Sequence, residues 1–285
     1  MDTKKTRLFI KVERNSLPQI ADKYPFIYLE RGRLEIDDSS VKWIDSEANL
    51  VRLPVATIHT VLLGPGTSIT HEAVKVMTAS NCTICWVGED SLLFYAVGQC
   101  PTADTRNMQK QIQLASIPSK RLEVARKLFS FRFPEVDVST KTLQQLMGME
   151  GQRVRALYEE KANQYNVGWK GRSYVPGKFE MGDDTNKILT ASNAALYGIL
   201  TSAIISLGFS PHVGFVHSGS PLPFVYDLAD LYKENLCVDL AFSLTYKMCG
   251  LYNRALVAET FRTRVIESDL LGNVSKDIKK ILGLK

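Results

Sequence analysis

The chain has 285 residues, of which 45% are hydrophobic and 23% are charged, so it can bury the core of one large domain or two modest ones. No signal peptide is predicted behind Met1. The longest apolar stretch, residues 194–209, is shorter than the ~20 residues of a membrane span, so we expect a cytoplasmic protein. Residues 1–97 carry 11 Lys and Arg against 12 Asp and Glu, whereas residues 98–285 carry 24 against 18. The basic second part permits a nucleic acid as partner without requiring one.

The first 97 residues predict a small domain of short strands. β-favouring runs alternate with turn signals, which is typical of strands joined by tight connections. The predicted strands are residues 26–30, 33–37, 41–45, 50–53, 57–63, 83–87 and 92–97, with a short helix near residues 68–77 before the last two. We expect this β domain, residues 1–97, to be antiparallel. Pro101 and small polar residues then predict a linker over residues 98–107.

From residue 108 the hydrophobic period changes from two residues to 3.6, which predicts a mostly α-helical domain over residues 108–285. The predicted helices are residues 109–115, 122–131, 142–165, 187–207, 223–232, 236–250, 251–267 and 274–282. The expected fold class is therefore α+β. Five cysteines at irregular spacing favour reduced thiols, and we interpret Cys82 and Cys85 as core residues and not as a zinc or redox pair.

Glu150 is a carboxylate at a position where the helical pattern calls for an apolar residue. Apolar residues three, four and seven positions away share its predicted face. They are Leu143, Leu146, Met147, Val154 and Leu157. A buried carboxylate needs a positive or protonated partner, which Arg153, Arg155 or a divalent cation could supply. The flanking Gly148 and Gly151 suggest close approach of another backbone or a ligand.

His217, Asp227 and Asp230 are the other candidate metal ligands. His217 lies in a glycine-flanked loop, and the two aspartates, three residues apart, share a face of the helix predicted from Pro223. Each has an ordinary structural interpretation, because acids stabilise a helix N-terminus and loop histidines often form hydrogen bonds. His212 could take the place of His217. Together with Glu150, however, the set suits Mg²⁺ or Mn²⁺.

A metal set in a basic helical domain favours phosphodiester chemistry, in which the ion polarises a phosphoryl oxygen and activates a hydroxyl. Several nearby basic side chains could hold a phosphate backbone. They are Arg121, Arg126, Lys127, Arg153, Arg155, Lys170, Arg172 and Lys233.

Three motifs in fixed order resemble a known family. They are GMEGQRVRALY at residues 148–158, GFVHSG at 214–219 and YDLAD at 226–230. With LGPGT at residues 63–67 and CWVGE at 85–89, they make the chain similar over nearly its whole length to the catalytic subunit of the CRISPR spacer-acquisition integrase, of type I-E.

The resemblance implies one divalent-metal site, formed by Glu150, His217 and Asp230, with Asp227 as a second required aspartate. It implies transesterification, in which the 3′-hydroxyl of a captured foreign DNA fragment attacks a phosphodiester of the CRISPR repeat. Nicking of branched DNA is the related hydrolytic activity. By the same matching, four residues are candidates for holding DNA near the metal: Arg121, Lys233, Tyr174 and Tyr197.

The resemblance also implies an assembly in which two homodimers are bridged by a dimer of a small ferredoxin-like subunit, with the β domain serving dimerisation and contact with that subunit. Arg31 stands where relatives can present an aromatic residue that stacks on a duplex end. The chain ends at Lys285 without a long proline-rich tail. Two alternatives stay open: a stand-alone structure-specific nuclease and a non-catalytic DNA-holding subunit.

Overall fold

A computed structural model describes residues 23–38, 40–88, 94–98, 105–173 and 182–284 of the chain. Within these ranges it confirms the α+β class, because β-sheets precede a mostly helical region. Most of the predicted 98–107 linker lies outside the described residues. The bounds of the two predicted domains therefore stay a prediction.

The strands form two four-stranded sheets. They are β1 (Tyr24–Leu29), β2 (Gly32–Asp37), β3 (Ser40–Asp45), β4 (Leu50–Leu53), β5 (Ile58–Leu63), β6 (Thr67–Ile69), β7 (Thr83–Val87) and β8 (Phe94–Gly98). The first sheet has the order β1-β5-β7-β8 and the second β4-β3-β2-β6. All six residues of β5 are buried, which is typical of a strand covered on both faces. In both sheets, some hydrogen-bonded neighbours are strands that are not consecutive in the chain.

The prediction of an antiparallel β region is wrong in part. β2 pairs with β3, β3 with β4 and β7 with β8 in the antiparallel sense, but β1–β5, β5–β7 and β2–β6 are parallel. Each parallel pair is joined by a crossover: helix α1 (His71–Ala79) lies between β5 and β7, and three strands lie between β1 and β5 and between β2 and β6. Strand alternation in a sequence reports which face is buried but not which neighbour is hydrogen-bonded.

The predicted helices are present, with shifted ends. They are α2 (Arg106–Ser116), α3 (Pro118–Arg132), α4 (Leu143–Gln164), α5 (Asp184–Ser206), α6 (Pro223–Lys233), α7 (Asp239–Met248), α8 (Arg254–Glu267) and α9 (Leu270–Leu282). Side-chain caps set several starts: Thr142 begins α4 with a capping box, and Asp183 caps α5. A π-helical turn, Glu234–Val238, carries α6 directly into α7.

Helix α5 lies at the centre of the main core and is buried on nearly all sides. Among the described helices it alone is long and apolar enough to cross a membrane, but 83% of that apolar window is buried inside the protein, as in a core helix. Phe26, Leu62 and Cys85 of the first sheet belong to the same core, so this sheet packs against the helices. Cys82 and Cys85 are free and buried, as predicted, and burial raises the pKa of the Cys82 thiol to about 12.

Candidate active site

Glu150 lies in the second turn of α4, with 14% of its side chain exposed. Leu146 and Leu157 on the same face are buried, but Met147 is half exposed, so the predicted apolar face is narrower than the sequence suggested. A Cβ atom added to Gly148 or Gly151 would have no described atom within 4 Å. These glycines therefore do not pack against another described backbone, and they leave open space beside Glu150.

Asp227 is the most buried acid of the set, with no exposed surface, and it organises the loop that carries His217. One carboxylate oxygen accepts the backbone N–H groups of Phe215 at 2.6 Å and Val216 at 3.2 Å. The other accepts the backbone N–H of His217 at 2.9 Å and lies 2.8 Å from Nδ1 of the same residue. Because a carboxylate only accepts, Nδ1 carries a proton, and in the neutral ring Nε2 is then the nitrogen with the free lone pair.

The position of this loop also depends on Gly214 and Arg121. A Cβ atom at Gly214 would lie 2.6 Å from Cβ of Pro223, the first residue of α6, so only glycine lets the loop approach the helix this closely. Arg121 of α3 donates from Nε to the carbonyl of Phe215 at 2.8 Å. The loop is thus held by α3 on one side and α6 on the other.

Asp230 lies one turn after Asp227 and faces the free side of the imidazole, with 3.9 Å between its Oδ2 and Nε2 of His217. Lys233 contacts its other oxygen at 2.8 Å. Burial alone would raise the pKa of the Asp230 carboxyl, but the positive charges of Lys233 and Arg132 outweigh it and lower that pKa. Asp230 is therefore ionised in neutral solution. The two aspartates share a helix face, as predicted, yet their surroundings differ.

Two arginines flank the carboxylate of Glu150. Arg153, one turn along α4, lies 3.3 and 3.2 Å from its two oxygens and also pairs with Glu234 at 2.6 Å. Arg132, at the end of α3, reaches Glu150 at 3.9 Å and Asp230 at 3.6 Å. One guanidinium thus connects the acid of α4 with the acid of α6. Arg153 is a partner that the sequence predicted, but Arg132 is not, because its burial follows only from the packing of α3 on α6.

The chain is similar to known proteins that all belong to one family. A family model described as CRISPR associated protein Cas1 matches residues 133–249. A CRISPR-associated endonuclease Cas1 from Chlorobaculum tepidum is 66% identical over 279 residues, covering 98% of this chain and 94% of that protein. The Escherichia coli protein of the same description is 37% identical and covers 83% of this chain and 77% of its own length. The chain belongs to the Cas1 family of CRISPR-associated endonucleases.

Solved structures support the same assignment. A structure of TtCas1 in complex with DNA matches with a TM-score of 0.69 and 37% identity, covering 93% of this chain and 99% of that one. A casposase bound to its integration product matches with a TM-score of 0.65 at 17% identity, which shows the fold alone. The family predicted from the three motifs is therefore confirmed, and so is the prediction that the chain is an endonuclease. The prediction of type I-E is more specific than these matches show.

The donor set of this Cas1-family chain fits a hard divalent cation. Carboxylate oxygens and an imidazole nitrogen are ligands that Mg²⁺ and Mn²⁺ accept. Among the described residues, no three His, Cys, Asp or Glu side chains are close enough together to hold a metal ion. The carboxylates of Glu150 and Asp230 contact Arg153, Arg132 and Lys233 instead. Cationic nitrogens lie beside the oxygens that would bind the metal.

The remaining predicted residues fall at different distances from this centre. Tyr197 lies beside Lys233, whose ammonium is 5.0 Å from the ring centroid, and contacts Tyr226, which in turn packs on His217. Tyr174 lies outside the described residues. The imidazole of His212 is 2.9 Å from the carbonyl of Pro221, and no contact of His212 with Asp227 or Asp230 is described.

Proposed function

We propose that this chain is a divalent-metal-dependent DNA integrase and endonuclease that inserts foreign DNA fragments into a CRISPR array. Glu150, His217 and Asp230 would hold Mg²⁺ or Mn²⁺, and Asp227 would act through His217. The observation that carries the proposal is the buried Asp227 carboxylate, which accepts the Nδ1 proton of His217 and so turns Nε2 toward Asp230. A carboxylate behind an imidazole is the usual arrangement around a metal-ligating histidine.

The side chains around the proposed metal site favour a phosphodiester substrate. The bound ion would supply Lewis acidity at a phosphoryl oxygen. Lys233 and Tyr197 form a cationic and aromatic pair beside Asp230, suited to contact with a phosphate and a base. The open space at Gly148 and Gly151 lets a DNA backbone approach Glu150 without a side chain in its way. The DNA complex of TtCas1, a homologue of the same family, supports this proposal.

The proposal extends to type I-E and to the assembly. We infer a homodimer formed through the β domain and two such dimers bridged by a small ferredoxin-like subunit, acting in the cytoplasm where chromosomal DNA lies. The second sheet supports this inference, because β4 is an edge strand among the strands that the structure describes, and its Leu50 and Val51 are each 52% exposed. An apolar, unpaired edge strand is a typical place for another chain to add.

The test uses a labelled branched DNA that mimics a half-integrated fragment, incubated with the wild type and Mn²⁺ or Mg²⁺. We expect strand rejoining that EDTA abolishes. Glu150→Gln and His217→Ala should each lower its rate by about 100-fold or more, since even outer partners of a metal ligand cost 10–100-fold.

Matched controls are available in the same elements. Glu159→Gln changes an exposed acid of α4, and His212→Ala changes the other loop histidine; both should keep the wild-type rate. Rejoining that survives in Glu150→Gln and His217→Ala would refute the proposed site. Metal-dependent cleavage without rejoining would favour a stand-alone nuclease, and binding without either reaction a DNA-holding subunit.

A further inference from the structure

Arg132 is a cation enclosed within the proposed active site. Only 2% of its side chain is exposed, and its guanidinium packs over the ring of Phe129 at 4.9 Å. One terminal nitrogen donates to the main-chain carbonyl of Asp227 at 2.9 Å. Its Nε has no hydrogen-bond partner within the described parts of the chain. The guanidinium therefore places a positive charge at a fixed point of the site.

The two carboxylates that Arg132 faces are both proposed metal ligands. Its contacts with Glu150 at 3.9 Å and with Asp230 at 3.6 Å are longer than hydrogen bonds, so they act through charge. Without a cation between them, two carboxylates held near the same point would repel each other. Arg132 offsets this repulsion from a single position.

The other two cations of the site are attached differently. Arg153 and Lys233 reach the carboxylates from the rim, with 24% and 27% of their side chains exposed, and each has a second partner outside the pair. Either can swing toward solvent when another cation arrives. Arg132 is held by the Asp227 carbonyl and the Phe129 ring, so its guanidinium cannot turn toward solvent in the same way. It therefore stays beside whatever ion the carboxylates bind.

We propose that Arg132 is a resident counter-ion: a positioning residue that keeps Glu150 and Asp230 in place in the metal-free protein and weakens the binding of the divalent cation. This inference rests on the proposed function, because it takes Glu150 and Asp230 as metal ligands. Its consequence is a site that is pre-organised before metal arrives but exchanges the ion readily.

The experiment measures two quantities on the full chain without DNA: the dissociation constant for Mn²⁺ by calorimetry and the melting temperature in EDTA. Arg132→Met should bind Mn²⁺ at least about tenfold more tightly, since one charge within 4–6 Å shifts even proton binding by 10- to 1,000-fold. It should also melt about 5–10 °C lower without metal, because a buried carboxylate pair loses its cation.

Three further variants separate this role from general packing. Arg132→Lys keeps the charge and should bind Mn²⁺ within threefold of wild type. Arg264→Met breaks a remote pair with Asp239 and should lower the melting temperature without changing the dissociation constant. Arg132→Met combined with Glu150→Gln removes both charges and should recover at least half of the lost melting temperature.

Each result has a defined meaning. An Mn²⁺ dissociation constant for Arg132→Met equal to or weaker than that of the wild type would overturn the inference. So would a double variant no more stable than the single one. If Arg132→Met does not fold, a folded double variant supports the counter-ion role and an unfolded one overturns it. A wild type that binds no Mn²⁺ would refute the proposed metal site, and the melting temperatures would still decide whether Arg132 is a counter-ion.

Discussion

Replacing Asp227 with Asn tests how the catalytic loop is held. Each carboxylate oxygen serves two donors: one takes the N–H groups of Phe215 and Val216, the other the N–H and Nδ1–H of His217. An amide has only one accepting oxygen, so whichever way it is oriented, its NH₂ group faces two donors. Hydrogen bonds to charged groups contribute about 1.5–3 kcal/mol each, so two lost bonds should lower the free energy of unfolding by about 3–6 kcal/mol.

This loss is a large fraction of a typical stability of 5–15 kcal/mol, so equilibrium unfolding in urea resolves it readily. The matched control is Asp183→Asn. Asp183 is also a hydrogen-bonded acid, but it is a helix N-cap, where Asn serves nearly as well, and it should cost less than about 1 kcal/mol. Nitrogen NMR of His217 should show protonated Nδ1 in the wild type and a mixture of tautomers in Asp227→Asn.

A different outcome would refute the reasoning. If Asp227→Asn loses less than about 1 kcal/mol and keeps the Nδ1–H tautomer, the four contacts do not hold the loop and Asp227 is not the residue that orients His217. A large loss of stability with an unchanged tautomer would assign Asp227 to folding alone.

Two further predictions concern the β region. Burial, reinforced by the charge of Lys23, lowers the pKa of His59 to about 3, below its unfolded value of ~6.5. Between these two values the unfolded state binds a proton that the folded state does not. The free energy of unfolding should therefore fall as the pH drops from about 6.5 to 3, by up to about 5 kcal/mol. His59→Asn should flatten this part of the stability curve, and an unchanged slope would contradict the assignment. If the proposed homodimer forms through β4, Leu50→Lys together with Val51→Lys should give a monomer in light scattering, with a melting temperature close to that of the wild type. A variant that is still dimeric would place the interface elsewhere.

Local pattern was sufficient for much of the secondary structure. The period of two and then 3.6 residues predicted seven of the eight described strands and the helices that follow them, but it missed β6, two of whose three residues were assigned to the start of α1. The caps at Thr142 and Asp183 account for where α4 and α5 begin. Local pattern could not show that β1 joins β5, because parallel partners are brought together by a crossover and leave no mark on either strand.

For the candidate site, too, the sequence predicted one part and the packing decided the rest. Spacing alone placed Asp227 and Asp230 on one helix face, and the motifs identified the family. Spacing could not assign their roles: Asp227 is enclosed by loop N–H groups, whereas Asp230 faces an imidazole and two cations. Three residues along one helix can meet entirely different neighbours once the helix is packed.

The sequence by itself therefore determined the fold class, the family and a short set of polar residues out of place in an apolar pattern. Only the tertiary structure decided which of those residues meet, and it introduced Arg132, which no local pattern distinguishes from a surface arginine. The physical reason is range: propensity and periodicity act over a few residues, whereas burial, pairing and the pKa of a carboxyl depend on side chains far apart in the chain. Arg132 and Asp230 are separated by the whole of α4 and α5 in the sequence, yet they lie 3.6 Å apart in space.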